Sequence, residues 1–361
     1  MLKPSKSYCD ILIVGAGLTG AILGLALHKN GFNVKLIDRA DLHKDQYRQE
    51  TDKNGPKHLN QADGRASALA YASLNLLHAI GLGQKITALG QPIWDIRICD
   101  GHPLQGISNL FLHFNHRDPF APISRIQTFQ DQHQLDKKIP MGLIIENDHL
   151  RDIIMGEALS MLDMMAPVSV KNCQFDNDQA CLTLDDGSLL KANLVIACDG
   201  GRSSIRQMAG IDYHHIDYKQ TAIVCSVQHE HDHNGTAVEL FLPSGPFAML
   251  PLANCHSNVI WSEKSDLAKI FMEMDDAYFK AHLVERFGSW LGDITWVSKR
   301  FSYPLHLIHA KEYTRSRLLL VGDSAHAIHP IAGQGLNLGL RDVAVLVDLL
   351  IEHRRLGVDL C

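Results

Sequence analysis

Three apolar runs along the chain end in the same way. Ile11–Val14, Leu194–Cys198 and Leu318–Val321 are each short, uncharged and followed at once by glycine or by an aspartate beside glycine. A continuous apolar run of four to eight residues bounded by turn residues reads as a strand buried on both faces. In residues 10–40, DILIVGAGLTGAILGLALHKNGFNVKLIDRA, the first run leads through a glycine turn into an apolar helix. That helix stops at Gly31, and a second strand follows and ends at Asp38. Residues 39–64 carry many charges, few large apolar residues and no period, which predicts a long exposed loop. Residues 65–82, RASALAYASLNLLHAIGL, follow a helical pattern with Ser67 as the cap. LTLDDGSLL (182–190) predicts a hairpin on an Asp-Gly turn, and residues 221–264 supply strand-like runs separated by Pro/Gly and Asn turns. GQGLNLGLRDVAVLVDLLIEH (333–353) predicts a helix that is apolar on nearly every side and hence buried.

Composition narrows what these elements serve. With 361 residues the chain suffices for two domains. A 46% hydrophobic and 20% charged composition is that of an ordered globular protein, and the net charge of -6 offers no broad attraction to nucleic acid. The eight cysteines form no CxxC pair, so neither a disulfide scaffold nor a structural metal is expected. HEHDH (229–233) lies between two strand-like runs and is read as a solvated loop rather than a metal site. Residues 11–27 imitate a signal peptide or a short membrane span. Seventeen residues are the lower limit for ~30 Å of hydrocarbon, and Gly15, Gly17, Gly20 and Gly24 weaken such a helix, so strand, turn and helix is the better reading. The cytoplasm or its membrane face is the expected location.

The chemistry starts at the glycines. In a GxGxxG turn after a parallel strand, Gly15 permits the tight turn, Gly17 lets backbone approach a pyrophosphate, and Gly20 lets the helix lie close to the sheet. The helix N-terminus offers free N–H groups and the positive end of its dipole to phosphate. Asp38, 18 residues past Gly20, stands where a carboxylate accepts hydrogen bonds from a ribose. The alternative is a glycine-rich packing turn. Arg65 either faces a phosphate or cofactor edge or is a surface arginine. Asp199 and Arg206, after the second apolar run, are either polar cofactor contacts or simply a turn residue and a helix-side arginine. After the third run, Asp323 suits a hydroxylated ribityl chain. Gly333 and Gly335 leave a helix N-terminus bare, which favours charge developing on the N1–C2=O edge of a reduced flavin ring.

The ordered set GAGLTG (15–20), ACDGGRSSIR (197–206) and GDSAHAIHPIAGQGLNLG (322–339) resembles the FAD-dependent aromatic hydroxylases of the para-hydroxybenzoate hydroxylase fold. Within them, GRASALAYASLNLLHAIGL, GLIIENDHLR (142–151) and GPFAMLPL (245–252) are similar to the ubiquinone-biosynthesis hydroxylases. The resemblance implies an α/β fold, α+β overall, in which a Rossmann-like FAD-binding domain carries a mainly antiparallel substrate domain. Residues 1–85, 142–215 and 300–361 fall to the first, and 86–141 and 216–299 to the second. Relatives continue with further helical sequence beyond the end of this chain, so a shortened C-terminal region is expected.

Residue by residue, the resemblance puts Gly15, Gly17, Leu18, Thr19 and Gly20, with Asp38 and Arg39, on the ADP half of FAD. Asp38 departs from the family's usual Glu but is chemically equivalent. Arg65 matches an arginine that contacts the cofactor, and Asp199, Gly200 and Arg206 match the second fingerprint, used for FAD and NAD(P)H. Gly322 and Asp323 match the ribityl contact. Pro330, Gly333, Gln334, Gly335, Leu336 and Asn337 form the environment of the flavin ring, with no side-chain acid or base assigned, and His326 is left as catalytic or structural. Phe247, Met249, Pro251 and Trp261 either line the substrate face or pack the core, with packing as the default. The implied reaction is NAD(P)H reduction of FAD, O₂ addition at flavin C4a, and transfer of oxygen from the hydroperoxide to a polyprenylated phenol. Rival readings are a prenyl reductase or epoxidase of the same fold and a non-turnover FAD-binding subunit of a ubiquinone-synthesis complex. A prenylated substrate also implies peripheral contact with the inner membrane.

Overall fold

The computed structural model describes residues 8–42, 63–102, 106–116 and 139–359, so most of the 39–64 loop lies outside the described residues. The first apolar run is β1 (Tyr8–Val14), and α1 (Leu18–Lys29) and β2 (Val34–Ile37) follow it in the expected order. Every residue of α1 from Gly20 to Leu27 is buried, as a helix laid on a sheet requires. Among the described residues no helix is long and apolar enough to cross a membrane.

Among the described residues β1 is the centre of an eight-stranded sheet. On one side it pairs in parallel with β2, which pairs with β8 (Asp163–Met165). On the other it pairs in parallel with β11 (Leu189–Ala197), which pairs with β19 (Leu318–Leu320). The three apolar runs therefore lie side by side, and their following turns emerge at one carboxyl edge, where open α/β sheets bind ligands. β9 (Val170–Phe175) and β10 (Ala180–Leu184) extend β11 antiparallel, and the β10–β11 hairpin turns at Gly187 as the Asp-Gly signal predicts. β18 (Thr314–Arg315) borders β19. Alternate side chains of β1 and β11 serve two cores. Ile11, Ile13, Leu194 and Ile196 pack under α1, α4 (Asn147–Met161) and α8 (Gln334–Leu356), and Leu12, Val14, Val195 and Ala197 face the hairpin and α5 (Ser204–Met208).

Residues 66–82 differ from the expectation. Ala66–Ala70 is strand β3 and only Tyr71–Ala79 is helix, α2, which leads to α3 (Gly83–Leu89). The alanines favour helix locally, but β3 pairs along its whole length with β7 (Gly142–Glu146), which also takes β4 (Gln91–Ile93). Ser67 is no cap; its hydroxyl donates to Asn147 Oδ1 at 2.6 Å. Tertiary pairing overrides propensity here.

Among the described residues the second large sheet has nine strands and is mainly antiparallel. Its order is β20 (His326–Ala327), β17 (Phe301–Ala310), β12 (Tyr213–His229), β15 (His256–Lys264), β14 (Gly245–Leu252), β13 (Thr236–Leu242), β5 (Asp95–His102) and β6 (Gly106–Asn115), with β16 (Ile294–Val297) on β12. It takes in Phe301–Ala310, which the sequence reading placed with the nucleotide domain. On one face Phe247, Met249 and Trp261 are packed under α6 (Ser265–Glu273) and α7 (Asp276–Phe287), so core packing holds for these three.

Two further expectations change. α8 is only half buried, with Val345, Leu349 and Leu356 exposed on its outer side. The 229–233 stretch is not solvated throughout. His229 and His233 are buried, with His229 bonded to the His231 carbonyl and Ser257 Oγ and His233 to the Leu252 carbonyl. Burial pushes the His229 imidazole down to about 4, so it stays neutral in the fold while an unfolded chain protonates near 6.5. The unfolded state then binds more protons between these values, and stability is lost as pH falls from about 6.5 toward 4. From pH 7 to pH 5 this one group is expected to cost about 2 kcal/mol. Urea unfolding of the parent and of His229→Gln checks this; equal pH dependence of the two would refute it.

Candidate active site

The three turns at the carboxyl edge, the strand β3 and the inner face of the antiparallel sheet enclose one cleft of about 550 Å³. Gly17, Leu18 and Thr19 line it from the first turn, Cys198 and Gly200 from the second, and Asp323, Pro330, Gly333, Gly335 and Leu336 from the third. Residues more than 300 positions apart are thus brought together, as a shared ligand requires.

The glycines divide into two kinds. A Cβ on Gly15, whose φ is +107°, would sit 2.4 Å from the Cys198 carbonyl oxygen, and one on Gly20 would sit 1.9 Å from the Gly15 oxygen. These two are demanded by the protein's own crossing of α1 over β11. A Cβ on Gly17 or Gly335 would meet nothing within 4 Å among the described residues, so the fold there makes no use of the missing side chain, whereas Gly200, with as much space, is called for by its φ of +84°. Gly17 and Gly333 are N-caps of α1 and α8, and neither helix start has a side-chain cap bond. Two uncapped N-termini thus border one cleft, each with free N–H groups and a positive dipole end.

Thr19 knits the two motifs together, because Gly322 and Gly339 approach its side chain so closely that a Cβ on either would lie 3.2 or 3.1 Å from it. Asp38 sits at the end of β2 and accepts from Ala16 N (2.6 Å) and Ala40 N (2.7 Å), fixing the glycine turn; it is not among the cleft-lining residues. Arg39 is exposed beside it. Asp199 Oδ2 accepts from Ser204 N, Ser204 Oγ and Ile205 N, capping α5, while its Oδ1 is buried with no partner among the described residues.

Several predicted contacts serve the frame instead. Arg206 is 1% exposed and donates to the Ser324 and Gly201 carbonyls at 2.6 and 2.8 Å. Asn337 spends its whole amide on protein, accepting from Ala70 N and Ser73 Oγ and donating to the Ala68 and Gly333 carbonyls. Gln334 bonds back to the Ala332 carbonyl. His326 pairs with Asp342 at 2.7 Å, and the same carboxylate oxygen accepts from Gly322 N; the Asp342 hydrogen bond raises the His326 pKa. His326 is not among the cleft-lining residues.

Arg65 lines the cleft, stacks 4.8 Å over the Tyr303 ring and pairs with Asp63 at 2.6 Å. Asp323 is open to the cleft yet surrounded by protein, and burial raises its carboxyl pKa against the pull of His326, Arg65 and His306. Sequence reasoning missed the opposite wall, Ala222, Val224, Ile260, Tyr303 and Leu305, together with Asn147, Arg151 and His306. The signal for part of it was parity. Ala222, Val224 and Ile260 alternate with Ile223, Cys225 and Trp261, and it is the even-numbered residues that face the cleft.

The comparisons agree with this geometry. The family described as FAD binding domain matches residues 8–356. The chain is 42% identical over 354 residues to ubiquinone hydroxylase UbiL of Rhodospirillum rubrum, covering 97% of this chain and 74% of that protein. It is 32% identical over 360 residues to the 3-demethoxyubiquinol 3-hydroxylase of Escherichia coli, covering 96% and 81%. In fold it is similar to pqsL, a probable FAD-dependent monooxygenase from Pseudomonas aeruginosa, with a TM-score of 0.72, 20% identity and coverage of 98% and 88%. The bare glycines and the uncapped helix starts on the cleft fit a dinucleotide, and the chain belongs to the FAD-binding family of the flavin-dependent aromatic hydroxylases.

Proposed function

We propose that this protein is an FAD-dependent monooxygenase of ubiquinone biosynthesis that hydroxylates the ring of a polyprenylated phenol with O₂ and NAD(P)H. The observation that carries the reading is the convergence of residues 17–19 and 323–336 on one cleft whose far wall is apolar. FAD, when bound, supplies the redox chemistry, accepting two electrons from NAD(P)H and activating O₂ for insertion of one oxygen atom. The chain's own part is to bind, orient and keep out water. Gly17 and the start of α1 would hold the diphosphate, Asp323 the ribityl hydroxyls, and Pro330, Gly333 and Gly335 the ring. Ala222, Val224, Ile260 and Leu305 present an apolar surface on which an aromatic ring can stack and from which water is displaced. Tyr303 is no free acid, because its hydroxyl is committed to the Asp63 carbonyl at 2.6 Å. The relatives named as ubiquinone hydroxylases support the substrate class. An apolar prenyl tail keeps such a substrate in the bilayer, so the reading includes peripheral contact at the inner membrane and membership of a ubiquinone-synthesis complex.

Purified protein is expected to be yellow, to oxidise NAD(P)H faster when a prenylated phenol is added, and to incorporate one ¹⁸O atom from ¹⁸O₂ into the product. A reduced prenyl chain without ¹⁸O would indicate a reductase. Firmly bound FAD without substrate-stimulated turnover would indicate a non-catalytic subunit, and either result overturns the proposal.

A further inference from the structure

Glu239 is a buried carboxyl for which the flavin chemistry gives no role. It lies in the middle of β13, 9% exposed, between Val238 and Leu240, which point into the core under α6 and α7. By alternation Glu239 points the other way, to the side of the sheet that carries the cleft wall, flanked by Ala248 on β14 and Ile98 on β5. Its Oε2 accepts from the backbone N–H of Ala332 at 3.2 Å, and this bond joins the antiparallel sheet to the turn before α8. Burial raises its pKa, against the pull of the Ala332 N–H.

The turn needs holding. Ala332 has φ +54° and Gly333 φ +60°, two successive left-handed residues, and the first carries a Cβ that disfavours the conformation. Gly333 lies close against β3, where a Cβ added to it would sit 3.2 Å from the Ala68 Cβ. Two side chains grip this turn from opposite domains. Asn337 donates to the Gly333 carbonyl from α8, and Glu239 accepts from Ala332 across the interface. Pro330 and Gly333, on either side of Ala332, line the cleft.

We propose that Glu239 is a positioning residue that locks the Pro330–Gly335 turn to the substrate-side sheet, so that ring-binding turn and substrate wall keep a fixed separation. What the turn requires is a hydrogen-bond acceptor at this spot rather than a negative charge. The location of flavin and substrate on either side rests on the function proposed above, but the lock belongs to the protein alone and is measurable without turnover.

Hydrogen–deuterium exchange of the apoprotein tests it. Glu239→Met keeps the volume and removes the acceptor, and is expected to speed exchange in peptides spanning residues 330–336 at least tenfold. Glu239→Gln, whose amide oxygen can accept, is expected to keep parental protection there. In the flavin-loaded protein, Met is expected to weaken FAD binding about tenfold and to shift the visible flavin band, with Gln close to parent. Circular dichroism shows whether each variant is folded; should Met misfold, Glu239→Leu takes its place. A Met or Leu variant that is folded and exchanges like Gln overturns the proposal, whatever the enzyme's substrate proves to be.

Discussion

A Gly17→Val chain is expected to fold as the parent does and to emerge without flavin. Gly17 adopts φ −62° and ψ 178°, open to any residue, and an added Cβ meets no atom of the described residues within 4 Å. The apoprotein should therefore unfold within about 0.5 kcal/mol of the parent, as surface substitutions do. The new side chain instead fills the space at the start of α1 where a diphosphate approaches, so FAD affinity should fall by about 100-fold or more, or about 3 kcal/mol. Gly15→Ala is the contrast. Its Cβ would lie 2.4 Å from the Cys198 oxygen at φ +107°, so backbone must move before any ligand binds, and a loss of about 3 kcal/mol or more in stability is expected. Calorimetry of both apoproteins and titration with FAD separate the two. Unchanged FAD affinity in a folded Gly17→Val would remove this cleft as the cofactor site.

The same contrast shows how far a sequence can be read. Strand, turn, helix and strand over residues 8–37 were legible because apolar run length and glycine spacing are local signals, and so was the β10–β11 hairpin on its Asp-Gly turn. Ala66–Ala70 was not, because what makes it a strand is β7, which arrives from residues 142–146. The cleft wall was hidden for a related reason. Both faces of β12, β14 and β15 are apolar, so alternation alone does not say whether Trp261 or Ile260 faces the ligand until α6 and α7 have covered one face. Histidines 229 and 233 misled in the opposite sense. A polar string reads as solvated unless the chain supplies carbonyl and hydroxyl partners, and here Leu252 and Ser257 do so from more than 18 residues away. Among site residues, backbone roles were legible at Gly15, Gly17 and Gly20. Side-chain roles at Arg206 and Asn337 were not, since motif position shows that a residue is needed and not which atoms it serves.

Arg206 is where that difference has the largest measurable effect. Its guanidinium bridges the Gly201 carbonyl, one residue past the second turn's cleft glycine, and the Ser324 carbonyl, one residue past Asp323, and lies 4.3 Å over the Tyr213 ring. Truncation to alanine leaves two carbonyls without their donors and opens a space beside the ring. At about 1–3 kcal/mol for each deserted buried acceptor, less the relieved desolvation of the cation, a net loss on the order of 3 kcal/mol is expected. Because the same bonds fix where Gly200 and Asp323 stand, FAD affinity should fall as well, by about tenfold, although Arg206 is outside the cleft lining. Arg206→Lys discriminates clamp from charge. A single ammonium keeps the charge but lacks the planar fork that spans two carbonyls, so it should recover no more than about half the stability. Were lysine to restore both urea stability and FAD affinity in full, the residue would act through its charge, as a direct contact to an anionic cofactor does. Partial stability with weakened FAD binding is the outcome the geometry requires, because two turns separated by more than 100 residues are joined by one side chain that only a fork can replace.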